Sequence, residues 1–201
     1  MSLLVAFAGT TPESHAAHPD ALRALASARQ QGHGEPICLR WDGGYAWWFD
    51  TPANPGTGGA CVQQGQRFAA CIGSVHWQSL SGERLLQRLL ADGREPGALP
   101  WRDFSGGFAL LLSDGDGVWL LNDAVGLQKI YTNADRSVFT TSLLLCRSLL
   151  TRPRINRLRA QEYVLLGANH GLETPIAEVQ LLDPTAALSL SARHHGLAAD
   201  R

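Results

Sequence analysis

Lysine is almost absent from this chain. Lys129 is the single lysine among 17 basic residues, and the arginines are scattered rather than clustered. The formal net charge is −1 over 201 residues. Because binding to nucleic acid needs clustered Lys and Arg to neutralise phosphates, this composition argues against nucleic acid as a partner. No apolar run is long enough to cross a bilayer, so we expect no membrane partner either.

Sequence motifs for metals and phosphates are also missing. No two cysteines or histidines have the C-x-x-C or H-x-x-x-H spacing of zinc ligands. Residues 56–59 are rich in glycine but lack the Lys-Ser/Thr that completes a phosphate-binding loop. Residues 114–117 begin like a calcium loop, yet the later acidic ligands and the closing Glu are absent, so they predict a hairpin turn. We therefore expect no metal and no cofactor.

The start of the chain lacks the positive segment of a secretory signal, and its apolar stretch is short. Residues 3–8 are better interpreted as a buried strand. Without an export signal, the protein is expected to be cytoplasmic and its four cysteines reduced: Cys38, Cys61, Cys71 and Cys146. Cys61 and Cys71 flank a predicted hairpin and could face each other, but free thiols are the expectation.

The order of the predicted elements indicates an α+β fold. A strand at 3–8 precedes a helix at 19–31, in which Asp20 is a candidate N-cap and Leu22, Leu25 and Ala26 share an apolar face. Strands dominate the rest of the chain, interrupted by a helix at 82–92 and by helices after residue 142. This order is not alternating βαβ, so largely antiparallel sheets are predicted. We expect one domain over residues 1–201, with 190–201 as a flexible tail.

Ser2 is the first candidate for chemistry. Removal of Met1 would leave Ser2 with a free α-amine, and a hydroxyl at the very N-terminus can use that amine as its base. The simpler interpretation of Ser2 is a small second residue with no catalytic role. Without further motifs, the presence of Ser2 favours the interpretation that it has no catalytic role.

Residues 104–131 resemble a run in class II glutamine amidotransferases. The family pattern is a G-x-F-A strand, a second strand ending in R-D-x-x-G, and then P-L-Y. The corresponding residues here are Gly106-Gly107-Phe108-Ala109, Asn122-Asp123 with Gly126, and Lys129-Ile130-Tyr131. The family helix ending in Y-L-x-x-G corresponds to Tyr163-Val164-Leu165-Leu166-Gly167. The resemblance spans nearly the whole chain and is strongest over residues 100–184.

The departures from the family pattern concern its active site. The family begins Met-Cys-Gly-Ile, and Ser2 stands here at the position of the nucleophilic Cys. Its N-G-E segment corresponds to Ile72-Gly73-Ser74, which lacks the amide side chain of the oxyanion donor. Its S-D-x-E helix start is represented by Ser81-Gly82-Glu83, so the Asp that holds the substrate amine is Gly82. Arg40 is the nearest candidate for the Arg that binds the substrate carboxylate.

The resemblance implies an N-terminal-nucleophile (Ntn) hydrolase fold, a four-layer αββα sandwich with two mainly antiparallel sheets. Ser2 would occupy the nucleophile position, expected to be inactive, and Gly73, Ser74, Arg40 and Glu83 would bind substrate. The chain resembles the first domain of asparagine synthetases, β-lactam synthetase and lasso-peptide cyclases. It has no S-G-G-x-D-S pyrophosphate loop, so a separate synthetase domain or subunit is the expected partner.

Three functions remain open from the sequence. The first is a domain that has lost glutaminase activity and serves as a structural or regulatory partner of an ATP-dependent, amide-forming synthetase. The second is an N-terminal-serine amidase that uses Ser2 on an amide other than glutamine. The third is a small-molecule binding module in the former glutamine pocket, lined by the four tryptophans Trp41, Trp47, Trp48 and Trp77.

Overall fold

A computed structural model describes residues 2–9, 19–51, 59–93, 98–184 and 187–190. The strands are β1 (Leu3–Ala8), β2 (Ile37–Trp41), β3 (Gly44–Phe49), β4 (Gly59–Gln64), β5 (Arg67–Gly73), β6 (His76–Trp77), β7 (Leu80–Ser81), β8 (Phe108–Ser113), β9 (Val118–Asn122), β10 (Tyr131–Asn133), β11 (Val138–Thr140), β12 (Val179–Leu181) and β13 (Leu188–Ser189). The helices are α1 (Pro19–Gln30), α2 (Gly82–Asp92), α3 (Leu143–Ser148) and α4 (Arg157–Leu166), with one 3₁₀ turn at Trp101–Asp103.

Two antiparallel sheets form the centre of the molecule. Sheet A has six strands in the order β12-β10-β11-β1-β3-β2, and sheet B has five in the order β13-β9-β8-β5-β4. Strands β6 and β7 form a separate short hairpin. Every strand pair in the described ranges is antiparallel. The predicted α+β class with antiparallel sheets is confirmed.

The two sheets pack face to face, and helices cover both outer faces. Strand β1 is buried on both sides because its side chains alternate between the two faces of sheet A. Leu4 and Ala6 point into the core between the sheets, whereas Val5 and Phe7 point outward to the layer that contains α1 and α3. Helix α2 covers the outer face of sheet B. The order of layers is therefore helix, sheet, sheet, helix, as predicted.

Helix α1 packs through small residues, and the predicted apolar face was wrong. Ala21, Ala24 and Ala28 are fully buried, while Leu22 is exposed. Large aromatic side chains, among them Tyr45 and Trp47, project from the outer face of sheet A into the same cluster. Because that space is already filled from the sheet side, only alanine-sized residues fit at close approach. Asp20 is also not an N-cap, since α1 begins at Pro19 and Asp20 lies in the first turn.

Helix α2 matches its prediction closely. Ser81 occupies the N-cap position, and Gly93 ends the helix in the left-handed conformation with φ of 60°. All four predicted leucines are buried against sheet B: Leu85, Leu86, Leu89 and Leu90. The hydroxyl of Ser81 forms no capping hydrogen bond, which leaves the first turn of the helix without a side-chain acceptor from that residue.

A buried carboxylate organises the loop that follows β9. Asp123 is almost fully buried and accepts hydrogen bonds from three backbone N–H groups, those of Phe108 at 3.3 Å and of Leu127 and Gln128 at 2.8 Å. Its own N–H donates to the carbonyl of Phe108 at 2.9 Å. Asp123 therefore joins the start of β8 to the loop that leads to β10.

The pair Cys61 and Cys71 cannot form a disulfide in this fold. Cys61 lies opposite Ala70, and Cys71 lies opposite Ala60, so neither cysteine faces the other directly. Cys61 packs against the core between the sheets, and Cys71 packs under α2 on the opposite face of sheet B. All four cysteines are free. Burial raises the pKa of Cys61, Cys71 and Cys146 to about 12.

None of the described helices is long and apolar enough to span a membrane.

We predict that Asp123→Ala lowers the free energy of unfolding by about 3 kcal/mol, because one buried and two partly buried N–H groups lose their acceptor. Urea unfolding followed by tryptophan fluorescence measures the change. Asp116→Ala is the matched control, since the Asp116 side chain is exposed at the tip of the β8–β9 hairpin. Equal stability of the two variants would show that Asp123 does not hold the loop.

We predict that iodoacetamide leaves Cys61, Cys71 and Cys146 unmodified in the folded protein at about pH 8. With a pKa of about 12, each thiol is about 0.01% thiolate at that pH, and the thiolate is the reactive form. Reaction of these thiols should increase as the pH is raised. Cys38, half-buried on the edge strand β2, should react first. Mass spectrometry of peptides measures the alkylation of each cysteine, and an unfolded sample provides the reference in which all four thiols react. Rapid alkylation of Cys71 would contradict the fold.

Candidate functional site

Ser2 lies immediately before β1, an interior strand of sheet A, and its side chain is buried with an exposed fraction of 3%. The antiparallel pairing of Leu3 with Phe49 brings the end of β3 beside it. The Ser2 hydroxyl consequently forms a hydrogen bond with the Thr51 hydroxyl, 3.0 Å between the oxygens. The Ser2 side chain is therefore enclosed, and its hydroxyl already has a polar partner.

The start of β1 and the end of β5 lie at the same edge of the sandwich. Trp48 pairs with Leu4 across β1 and β3, and its indole N–H donates to the carbonyl of Cys71 at 3.1 Å. At the opposite edge, the ring of Trp41 lies 6.1 Å from that of Phe68, near the start of β5. This arrangement places Ser2 and the residues after β5 at one edge, as an Ntn-type site requires.

Trp48 is the bulky group at this edge. Its indole is buried in the core between the sheets and bridges them through the hydrogen bond to Cys71. Because interiors are close-packed, an indole in this position leaves little room for a ligand beside Leu4 and the start of β1.

A small cleft lies on the α2 side of the same edge. Its volume is about 170 Å³, and it is lined by Gly59, Ala60, Cys71, Gly73, Ser74, Val75, His76, Ser81 and Gly82. Gly73 has φ of 81°, and a Cβ there would collide with the carbonyl oxygen of Gly107, so only glycine fits. Ser2 does not line this cleft. The lining has no carboxylate and no arginine or lysine.

The structure brings together some of the predicted site residues. Gly73 and Ser74 line the cleft at the edge that holds Ser2. Glu83 follows Gly82 in α2 but is exposed, and its Oε1 accepts a hydrogen bond from Gln87 at 2.8 Å. Arg40 pairs with Tyr45, which in turn pairs with Phe7. In that register Arg40 is level with Phe7, which is five residues after Ser2. The separation along the strand direction is therefore roughly 17 Å. The structure therefore does not bring Arg40 to the predicted site.

Sequence reasoning missed Thr51 and His76, and it placed Trp48 in a ligand pocket rather than in the core between the sheets. Thr51 follows the strand that pairs with β1, so the hairpin register contained a signal for its contact with Ser2. His76 is the first residue of β6 and follows the end of β5, which was predicted to contribute Gly73 to the site. The hydrogen bond from Trp48 to Cys71 joins different sheets, and no local pattern predicts it.

The predicted aromatic pocket was wrong. Trp41 and Trp48 belong to the core between the sheets, Trp77 packs under α2, and Trp47 packs beneath α1. Four tryptophans in three separate layers cannot line one pocket. Among the residues that the structure describes, no group of three or more His, Cys, Asp or Glu side chains is placed to hold a metal ion.

No protein-family model matches the sequence, and no curated protein matches it. Solved structures do match. The glutamine phosphoribosylpyrophosphate amidotransferase of B. subtilis, complexed with ADP and GMP, has a TM-score of 0.50 and 10% identity, over 100% of this chain and 49% of that one. A structure described as the allosteric regulatory enzyme of purine biosynthesis has a TM-score of 0.50 and 12% identity, with the same coverage. At these identities the likeness concerns the fold.

The chain has the Ntn-hydrolase fold. Its four-layer αββα sandwich is of the kind found in glutamine amidotransferases. The chain spans about half the length of the solved structures that it matches, 49% in each case. The roles of Ser2, Gly73, Ser74, Arg40 and Glu83 in chemistry or binding stay predictions.

We predict that phenylmethylsulfonyl fluoride does not label Ser2 in the folded protein. A reactive serine must expose its hydroxyl and have a base that takes its proton, whereas the Ser2 hydroxyl is enclosed and bonded to Thr51. Intact mass followed by peptide mapping measures the labelling, with trypsin in the same reaction as a positive control. Added mass on the Ser2 peptide would show an accessible, activated serine.

Proposed function

We propose that this chain is a glutamine-amidotransferase-type domain that does not hydrolyse glutamine and that serves as a structural or regulatory partner of an ATP-dependent, amide-forming synthetase. The observation that carries the proposal is the enclosure of Ser2. A nucleophile has to meet its substrate, and Ser2 is buried, bonded to Thr51 and outside the cleft. An oxyanion donor and charged groups to hold the substrate are missing as well.

Ser2 would be a weak nucleophile even if a substrate could reach it. A hydroxyl is far less nucleophilic than the thiol that the amidotransferase family uses, and it needs a neighbouring base for activation. The α-amine of Ser2 becomes available for that role only after removal of Met1. The Ser2 hydroxyl is hydrogen-bonded to another hydroxyl, that of Thr51, which is too weak a base to accept a proton at neutral pH.

The oxyanion donor is missing at the end of β5. Ile72 stands where the family resemblance places an amide side chain, and it points into the core between the sheets. The backbone N–H of Ser74 donates to the carbonyl of Gly107 at 3.0 Å, so that group is occupied as well. Loss of one oxyanion donor typically lowers the rate by about 10²–10³.

The cleft has no charges with which to hold an amino acid. Glutamine carries an ammonium and a carboxylate, and removing either from water without a counter-charge is unfavourable. Gly82 supplies no carboxylate, Glu83 is turned toward Gln87, and Arg40 lies at the other end of β2. The volume of about 170 Å³ is also below the roughly 300 Å³ of typical ligand pockets, so this cleft does not favour a small-molecule binding module.

A role beside a synthetase is consistent with a fold that is preserved while its site is not. The cores on both faces of each sheet are complete, which suits a domain kept for its shape and surface. The matched solved structures are about twice as long as this chain. The chain itself has no pyrophosphate-binding S-G-G-x-D-S loop, so the ATP-dependent step would belong to another domain or subunit.

We predict that the purified chain, with removal of Met1 verified by intact mass, releases ammonia from glutamine no faster than buffer. Ser2→Ala is the control, and an active glutaminase in the same assay shows that ammonia is detected. Ser2→Cys should also stay at the buffer rate, because a better nucleophile does not restore the oxyanion donor or the charges. Wild-type turnover that disappears in Ser2→Ala would overturn the proposal and show that Ser2 is an active nucleophile. Turnover gained by Ser2→Cys would show that the rest of the site is intact.

A further inference from the structure

Helix α4 has an inverted pattern of exposure. None of its residues is buried. Its least exposed side chains include two charged ones, Glu162 at 16% and Arg159 at 23%. Its apolar residues Leu158, Tyr163, Val164, Leu165 and Leu166 are between 56% and 81% exposed. A helix that packs on its own domain shows the opposite pattern, with the apolar side inward.

Polar contacts rather than apolar packing hold α4 in place. Arg159 binds Glu162 at 2.7 Å and Glu173 at 2.6 Å. Asn169 donates to the carbonyl of Arg159 at 2.6 Å, and the Asn156 side chain caps the helix by accepting from the N–H of Arg159 at 3.3 Å. These contacts fix the helix to the segment that follows it and leave the apolar side chains outside.

The apolar residues at the end of α4 surround the helix. Residues 163–166 are consecutive, and because successive residues are about 100° apart they point in all directions around the axis. All four are exposed, so this last turn stands away from the domain. Ile155, just before the helix, is exposed too. Exposed apolar side chains on every side of this last turn indicate that another molecule covers it.

The charges beside this surface indicate what covers it. Arg152 and Arg157 have no ion-pair partner among residues 2–9, 19–51, 59–93, 98–184 and 187–190. The carboxylates nearby are already engaged, Glu162 and Glu173 with Arg159 and Glu178 with Arg154. A complementary surface therefore has an apolar groove and carboxylates at its rim.

We propose that α4 docks into an apolar groove on the synthetase chain, with carboxylates of that chain facing Arg152 and Arg157. This inference rests on the proposed function, which supplies a synthetase as the partner. The mode is the insertion of a helix into a groove, with the side chains at 163–166 as anchors. The matched solved structures have about half their length outside the matched region, which is consistent with a second body beside this domain.

A second copy of this chain fits the surface less well. An isologous dimer would bring the same patch from both copies together, and that patch offers no unengaged carboxylate for Arg152 or Arg157. A membrane surface also fits poorly. Helices that lie on membranes separate an apolar face from a cationic face, whereas the apolar residues here surround the end of α4.

The test begins with the photo-crosslinker p-benzoylphenylalanine in place of Leu165, in cells of the source organism and in the full chain. The control carries it in place of Leu22, which is 56% exposed on α1. We expect crosslinked peptides from a chain with an S-G-G-x-D-S loop from position 165 and not from position 22. A crosslink from position 165 to a second copy, to residues 191–201 or to lipid would overturn the proposal.

The crosslinked synthetase chain is then purified and titrated with wild-type protein and variants. Leu165→Glu should weaken binding at least tenfold, since a charged side chain replaces an anchor in an apolar groove. Arg157→Glu should weaken binding most at low ionic strength, where charge pairs are least screened. Leu22→Glu should bind like the wild type. Circular dichroism verifies that each variant is folded, as expected for substitutions at exposed positions.

The outcomes separate this inference from the proposed function. If a synthetase crosslinks from position 22, or binds Leu165→Glu as tightly as the wild type, α4 is not the docking element although a partner exists. If no synthetase chain crosslinks from either position, the partner half of the proposed function fails with the inference. Ammonia release in the glutamine assay would overturn the claim that the domain does not hydrolyse glutamine. It would not change the docking result, which the crosslinking and binding experiments measure separately. Cosedimentation of the wild type, but not of Leu165→Glu, with vesicles of phosphatidylcholine and phosphatidylglycerol would replace the protein partner with a membrane.

Discussion

The apolar contacts between sheet A and sheet B are the interaction on which the rest of this structure depends. Leu4 and Trp48 project from sheet A into this core, and Phe68 and Ile72 project from sheet B. Their packing brings the start of β1 to the edge at which β5 ends, and it supports the outer faces on which α1 and α2 lie. The site and the helix layers both follow from this one interface, because neither sheet could bury its inner face without the other.

The same packing limits the chemistry at that edge. In an Ntn-type site the nucleophile has to meet a ligand at the strand ends, yet Trp48 fills the space between the sheets there and bonds to the carbonyl of Cys71. Ser2 is left with Thr51 as its neighbour, and the remaining cleft opens on the α2 side. Burial of the Trp48 indole adds apolar area to the core between the sheets, which favours stability. The enclosed serine and the well-packed core are therefore two consequences of the same residues.

Much of the fold could be predicted from local patterns. The apolar run at 3–8 predicts a strand that is buried on both faces, and the leucines of α2 between Ser81 and Gly93 predict the helix that covers sheet B. The errors occurred where tertiary packing outweighed the local pattern. In α1 the sequence predicted Leu22, Leu25 and Ala26 on the buried face, but Leu22 and Ala26 are exposed, and Ala21, Ala24 and Ala28 pack against the aromatic residues of sheet A instead.

The sequence by itself determined the order of strands and helices and the antiparallel class of the fold, because periodicity, capping and turn chemistry act between residues close in the chain. It could not show that Ser2 is enclosed, since the contact with Thr51 joins residues 49 apart. Nor could it show that Arg40 lies far from Ser2 or that α4 turns its charges inward. Those features depend on which strands pair and which faces meet. Only the tertiary structure decides them, because it brings together side chains that no local pattern relates.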